Sequence, residues 1–148
     1  TLGATRVVAH VDTFSDKDIV TLLDMVAKEK ILLGVAVSNT TDIDIHIEKI
    51  QKIYDQYPHV FIQVMGIRVI GAQGQEFDKE VLRRIKILKK VFSFLLIQVD
   101  GSMNESTVLQ VEHAGADTVI VGSYIFGGKG IRKSYETLKT LTAPKRKQ

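Results

Sequence analysis

Ile97-Gln98-Val99-Asp100-Gly101-Ser102-Met103-Asn104 reads as a buried strand that ends on a carboxylate, turns through glycine and serine, and enters a helix capped by Asn104. The same pattern recurs along the 148 residues. Strands are expected at Arg6 to Val11, Ile31 to Val37, Val60 to Met65, Phe94 to Val99 and Thr118 to Val121, each nearly continuous in Val, Ile, Leu or Phe. Strands of a parallel sheet covered by helices read in this way. Between them, apolar residues repeat at helical spacing: Ile19, Leu22, Leu23 and Val26, then Ile43, Ile47, Ile50 and Tyr54, then Val81, Leu82, Ile85 and Leu88. Ser15, Asp42 and Asp78 stand where helices start, Gly115 supplies a left-handed helix end, and a last helix spans Ile131 to Leu141. Alternation of strand and helix makes this an α/β chain with five βα units.

Two architectures suit five such units. An open doubly wound sheet is complete with five parallel strands, whereas a (β/α)8 barrel needs ~200 residues or more and would be partial here. Length favours the open sheet. Against it, Gln98 with Asp100 and Gln63 with Met65 place amides and a carboxylate two residues apart, on one face of otherwise apolar strands. The interior of a barrel gives such layers partners. Thr1-Leu2-Gly3-Ala4 looks like the end of a helix with no helix before it, so the chain is expected to begin within a fold. Residues 1–143 form one domain in this reading, followed by a basic tail at 144–148.

Composition narrows the chemistry. Apolar residues make up 45% and charged residues 25%, the balance of an ordinary globular protein. There is no cysteine, so disulfides, thiolate zinc sites and cysteine nucleophiles are excluded. The absence of cysteine fits a reducing cytoplasm. The net charge is +3, with its excess in Lys145, Arg146 and Lys147, which does not imply a nucleic-acid or membrane partner. No apolar run approaches the ~20 residues that span a bilayer.

In parallel α/β folds the carboxyl ends of the strands carry the site, which makes Asp100 the first candidate. Gly101 and Ser102 offer backbone N–H groups with little steric cover beside a helix start, as Gly122 and Ser123 do after the next strand. Two glycine-serine exits together suit a phosphate. Asp100 equally suits an Asx turn, and the two exits equally suit ordinary βα turns. The long connection from Gly66 to Phe77, with Gly71 and Gly74, is either a ligand-covering segment or a surface loop. Among the histidines, His46 and His59 are expected in solvent and His113 in a last helical turn. His10, inside the run Val7 to Val11, can face a site or serve as a hydrogen-bonded core histidine. No metal-binding histidine motif is present.

Gly115-Ala-Asp-Thr-Val-Ile-Val-Gly-Ser-Tyr-Ile-Phe-Gly127, Ile97 to Asn104, and Gly74-Gln-Glu-Phe77 leading into Glu80-Val-Leu-Arg83 resemble the ribulose-phosphate 3-epimerase family. The resemblance is to the last five βα units of its (β/α)8 TIM barrel, of the ribulose-phosphate-binding type. It implies an isomerase of carbohydrate metabolism that inverts carbon 3 of a ketopentose 5-phosphate. Two aspartates would move the proton, through an enediolate stabilised by a divalent metal, zinc or iron. On that reading Asp100 is both acid/base residue and metal ligand. Gly101, Ser102, Gly122 and Ser123 match phosphate-gripping loops, and Gly71 to Gly74 the loop over the substrate. Met65 and His10 match active-site positions. The family's other aspartate and its two histidine ligands lie on strands this chain does not contain, and its Asp-Gly-Gly is here Asp100-Gly101-Ser102. The segment is therefore expected to be inactive alone, and to cover its open sheet edges by homo-oligomerisation.

Overall fold

A computed structural model describes residues 3–71, 74–128 and 130–142. The expected helix end at Thr1 and Leu2 and the basic tail at 144–148 lie outside the described residues. Five strands, β1 (Arg6–His10), β2 (Leu32–Val37), β3 (Val60–Met65), β4 (Ile97–Asp100) and β5 (Thr118–Ile120), pair in parallel in sequence order. Between them lie α1 (Asp16–Glu29), α2 (Ile43–Gln56), α3 (Glu80–Val91) and α4 (Glu105–Ala114), with α5 (Ser123–Phe126) and α6 (Ile131–Leu141) after β5.

Strand order decides between the two architectures. A doubly wound sheet reverses direction at a switch point, which sends helices to both faces. The order β1-β2-β3-β4-β5 has no reversal, so crossovers of one hand place every helix on the same side. Burial agrees. The main core joins Leu33, Val35 and Val37 of β2, Val60, Ile62 and Val64 of β3, and Ile97 and Val99 of β4 to the apolar stripes of the helices. By register these strand residues all share one face. The opposite face carries Val8, Gly34 and Phe61 in one row and His10, Ala36, Gln63 and Gln98 in the next. Met65, Asp100 and Ile120 form a third. Val8 and Ile120 are exposed there. This is part of a parallel α/β barrel, and the open doubly wound alternative is overturned by its strand order.

The two glutamines meet on that inner face, where Gln98 Nε2 donates to Gln63 Oε1 at 2.8 Å. Each satisfies a buried group of the other, a pairing that the two-residue spacing allows inside a barrel.

Local signals hold at the helix starts. Ser15 and Asp18 form a capping box, the Asp42 carboxylate accepts from Asp44 N–H, and Asn104 caps α4 reciprocally with Thr107. Asp78 acts one residue earlier than a regular cap: its carboxylate accepts from Glu80 N–H while Lys79 is the formal N-cap. Gly115 ends α4 at φ 109°.

Two expectations need correction. Residues 94–96 are not strand; Phe92 is fully buried, and Phe94 and Leu96 are exposed on a turn that Leu95 N–H closes onto Phe92 O. His46 is not in solvent but fully buried. Ile43, Ile45, Ile47, Ile50 and Ile53 offer two overlapping stripes on α2, and packing buries Ile43, His46, Ile50 and Ile53, leaving Ile45 exposed.

Candidate functional site

Asp100 is the last residue of β4 and is partly buried at the carboxyl edge of the sheet. Burial pushes its carboxyl above the ordinary carboxylate range, against the opposing pull of His10 and a hydrogen bond from Gly101 N–H. A carboxyl so placed exchanges a proton more readily near neutrality than a solvated one. Its surroundings are tightly drawn. Gly66 N–H donates to Asp100 O at 2.6 Å, and a Cβ on Gly66 would stand 2.3 Å from Gly101 O, so only glycine lets the β3 and β4 exits touch. Gly101 follows at φ 113° and Ser102 at φ 55°.

A cleft of about 1050 Å³ opens at this edge. Asp100, Gly101, Ser102, Gly74, Gly122 and Ser123 line it together with Gln75 and Asn104, while Ile67, Met103, Ile120 and Phe126 supply apolar walls. Asp100 is its sole carboxylate among the described residues. Gly122 caps the four-residue α5, with its carbonyl accepting from Ile125 and Phe126 N–H. Tyr124, the next residue after Ser123, donates its hydroxyl to the Glu105 carboxylate and so ties α5 to the start of α4.

The remaining candidates stand at different distances from the cleft. Met65 is buried beside Asp100 in the strand register, with Gln63 Nε2 3.7 Å from its sulfur. His10 lies on the inner face, close enough to Asp100 to act on its charge, and its Nδ1 is buried without a hydrogen-bond partner among the described residues. Gly71 is exposed at φ 89° and lies outside the cleft lining.

A polar network beneath the exits of β1, β2 and β3 is absent from the sequence reading. Asp12 accepts from His46 Nε2 at 2.6 Å and from Ser38 N–H at 3.2 Å. Arg84, buried on α3, reaches His46 Nδ1 at 3.3 Å and donates to the carbonyls of Asn39 and Thr41. Asn39 passes the connection on, donating to Met65 O at 2.8 Å and to Asp78 at 3.3 Å. Because guanidinium only donates, His46 Nδ1 accepts, and the ring is the neutral tautomer with its proton on Nε2. Burial pushes the His46 imidazole below its ordinary range; Asp12 opposes that fall, while the charges of Arg84 and Lys49 deepen it. Burial works against the Asp12 charge too, but its hydrogen bonds hold the carboxyl below the usual range. The signal for His46 was its spacing of four from Ile50 and seven from Ile53. Arg84 gave none, since it follows Arg83 on a helix rich in lysine.

Among the described residues, no three His, Cys, Asp or Glu side chains converge to hold an ion. Asp100 by itself does not make a metal site. Among the same residues, no helix is long and apolar enough to cross a membrane.

Over 75 residues the chain is 40% identical to the ribulose-phosphate 3-epimerase of Aquifex aeolicus (strain VF5), covering 48% of this chain and 34% of that protein. Over 122 residues it is 25% identical to the ribulose-phosphate 3-epimerase of Bacillus subtilis (strain 168), covering 79% of this chain and 53% of that one. These matches span between a third and about half of the relatives' own lengths. Among solved structures, a 3-hexulose-6-phosphate synthase superposes with a TM-score of 0.68 at 17% identity, over 94% of this chain and 62% of its own, a likeness of fold. The family model for ribulose-phosphate 3-epimerases matches residues 1–126, and the chain belongs to that family.

Proposed function

We propose that this chain carries the phosphate-gripping side and one acid/base group of a cytoplasmic pentulose-phosphate 3-epimerase. The observation that carries the reading is a desolvated carboxyl, Asp100, in one cleft with two glycine-serine turns. The backbone N–H groups around Gly122 and Ser123 and around Ser102 would hold the phosphate of a ketopentose 5-phosphate. The Asp100 carboxylate would then take the proton from carbon 3, leaving an enediolate and a neutral carboxylic acid, and could return it to the same face. Inversion needs a second acid on the opposite face, and Asp100 is the one carboxylate lining the described cleft. The family resemblance assigns that second group, and the other ligands of a metal that Asp100 would help to hold, to strands this chain does not contain. A homo-oligomer fits the same geometry, because β1 and β5 each pair on one side only among the described strands.

The test is deuterium incorporation from solvent at carbon 3 of a ketopentose 5-phosphate, followed by NMR in the natively expressed protein. Asp100→Asn is expected to slow exchange by about 10²-fold or more, while inorganic phosphate still shifts the amide signals of Gly122 and Ser123. Exchange unchanged by Asp100→Asn would remove Asp100 from the role. The lone carboxylate also favours a second reading, binding of a sugar phosphate without turnover. Phosphate-dependent shifts with no exchange in the unsubstituted protein would select it.

A further inference from the structure

We propose that the Ser102 side chain is a positioning latch, which fastens the β3–α3 connection to the turn that carries Asp100. The serine adopts a left-handed backbone at φ 55°, a conformation that strains a residue with a Cβ. Glycine would occupy that position freely. What the serine adds there is its hydroxyl, which donates to Gln75 O at 2.5 Å across 27 residues of sequence. The Gln75 side chain in turn grips Val69 by both backbone groups: Val69 N–H donates to Oε1 at 2.9 Å, and Nε2 donates to Val69 O. On its other side Ser102 is held by α4, where Thr107 Oγ1 donates to Ser102 O at 2.9 Å. One hydroxyl thus joins a loop stapled to itself with a turn anchored in a helix cap.

At the base of the loop, Gly66 N–H is bonded to Asp100 O and Asp78 N–H to Gly66 O. Val69 and Ile70 are exposed and contribute nothing to the core. The Ser102 hydroxyl is therefore a tether between Gln75 and the wall of the cleft. While it donates to Gln75 O, its proton is not offered to a phosphate. Any part the turn plays in anion binding then falls to its backbone N–H groups, which Ser102→Gly would leave in place. This role rests on the reading of Asp100 and the glycine-serine turns as the site, but the latch itself can be read without any ligand.

Two variants separate a latch from a simple turn residue. Hydrogen exchange is followed at Val69 and Gln75 alongside global stability from chemical denaturation. Ser102→Gly removes the hydroxyl and relieves the left-handed backbone. It is expected to speed exchange at Val69 about fivefold, the equivalent of one net hydrogen bond, with global stability unchanged or higher. Ser102→Ala removes the hydroxyl and keeps the strain, so it is expected to give the same local acceleration with lower global stability. Val69 exchange unchanged in Ser102→Gly, or changes that merely follow global stability in both variants, would overturn the latch. With a ketopentose 5-phosphate, Ser102→Gly is expected to raise KM severalfold and leave kcat within about twofold. A fall in kcat as large as that of Asp100→Asn would also overturn it, by making Ser102 a catalytic residue. Failure of the site reading alone shows as absence of carbon 3 exchange in every form, with the Val69 response intact.

Discussion

Replacing His46 by glutamine should flatten the acid limb of the stability profile. In the folded chain the ring is fully buried between Asp12 at 2.6 Å and Arg84 at 3.3 Å, and Lys49 faces the same region from α2 with its Nζ on Val11 O. Burial lowers the ring's pKa, the charges of Arg84 and Lys49 add to the fall, and a second proton on the ring would turn the Nδ1 acceptor into a donor facing a guanidinium. In the unfolded chain the ring titrates near its ordinary 6.5. As pH falls below that value the unfolded state binds a proton that the folded state refuses, so stability is lost on acidification. The slope is at most ~1.4 kcal/mol per pH unit, so the loss by pH 5.5 is no more than about 1.4 kcal/mol, the limit for a folded ring that takes no proton. Asp12 contributes with the same sign at lower pH: its stabilisation is present above the unfolded carboxylate range and lost as pH falls through its folded pKa. A glutamine amide can donate to Asp12 and accept from Arg84 without titrating. Urea denaturation of both proteins from pH 8 to 5.5 should show wild-type stability falling towards or below that of His46→Gln, by up to that amount. Parallel profiles would refute the neutral, buried assignment of His46.

Two glycine substitutions probe the close approaches. Gly66→Ala would place a methyl 2.3 Å from the backbone oxygen of Gly101, so the two exits must separate; stability should fall by about 1–3 kcal/mol in urea, and phosphate-induced shifts at the Gly101 turn should weaken. Gly34→Ala would place a methyl 2.5 Å from the Phe61 ring and 2.9 Å from Val8, beneath the Arg6 guanidinium that stacks on that ring at 5.1 Å. Its cost should again be about 1–3 kcal/mol, but with amide shifts at Gly122 and Ser123 unchanged.

Much of the fold was legible because the signals are local or strictly periodic. Strand runs of Val and Ile, the capping residues Ser15, Asp42 and Asn104, and the left-handed Gly115 each act within a few residues of their own position. The pairing of Gln63 with Gln98 was foreshadowed by two-residue spacing, because a strand presents alternate side chains to one face. Phe94 and Leu96 misled for the complementary reason: apolar content continues past the strand, and only the burial of Phe92 shows that the chain is still turning.

By itself, the sequence determined the alternation of five strands with helices, the carboxylate at the end of β4 and the glycine-serine turns that follow two strands. The tertiary structure decided the rest. Strand order is a contact between distant segments, so barrel against open sheet could not be resolved from periodicity, and the unreversed order β1 to β5 settles it. The Asp12, His46 and Arg84 network likewise joins β1, α2 and α3. Helical period offered α2 two apolar stripes, and only packing against its neighbours chose the one that buries a histidine.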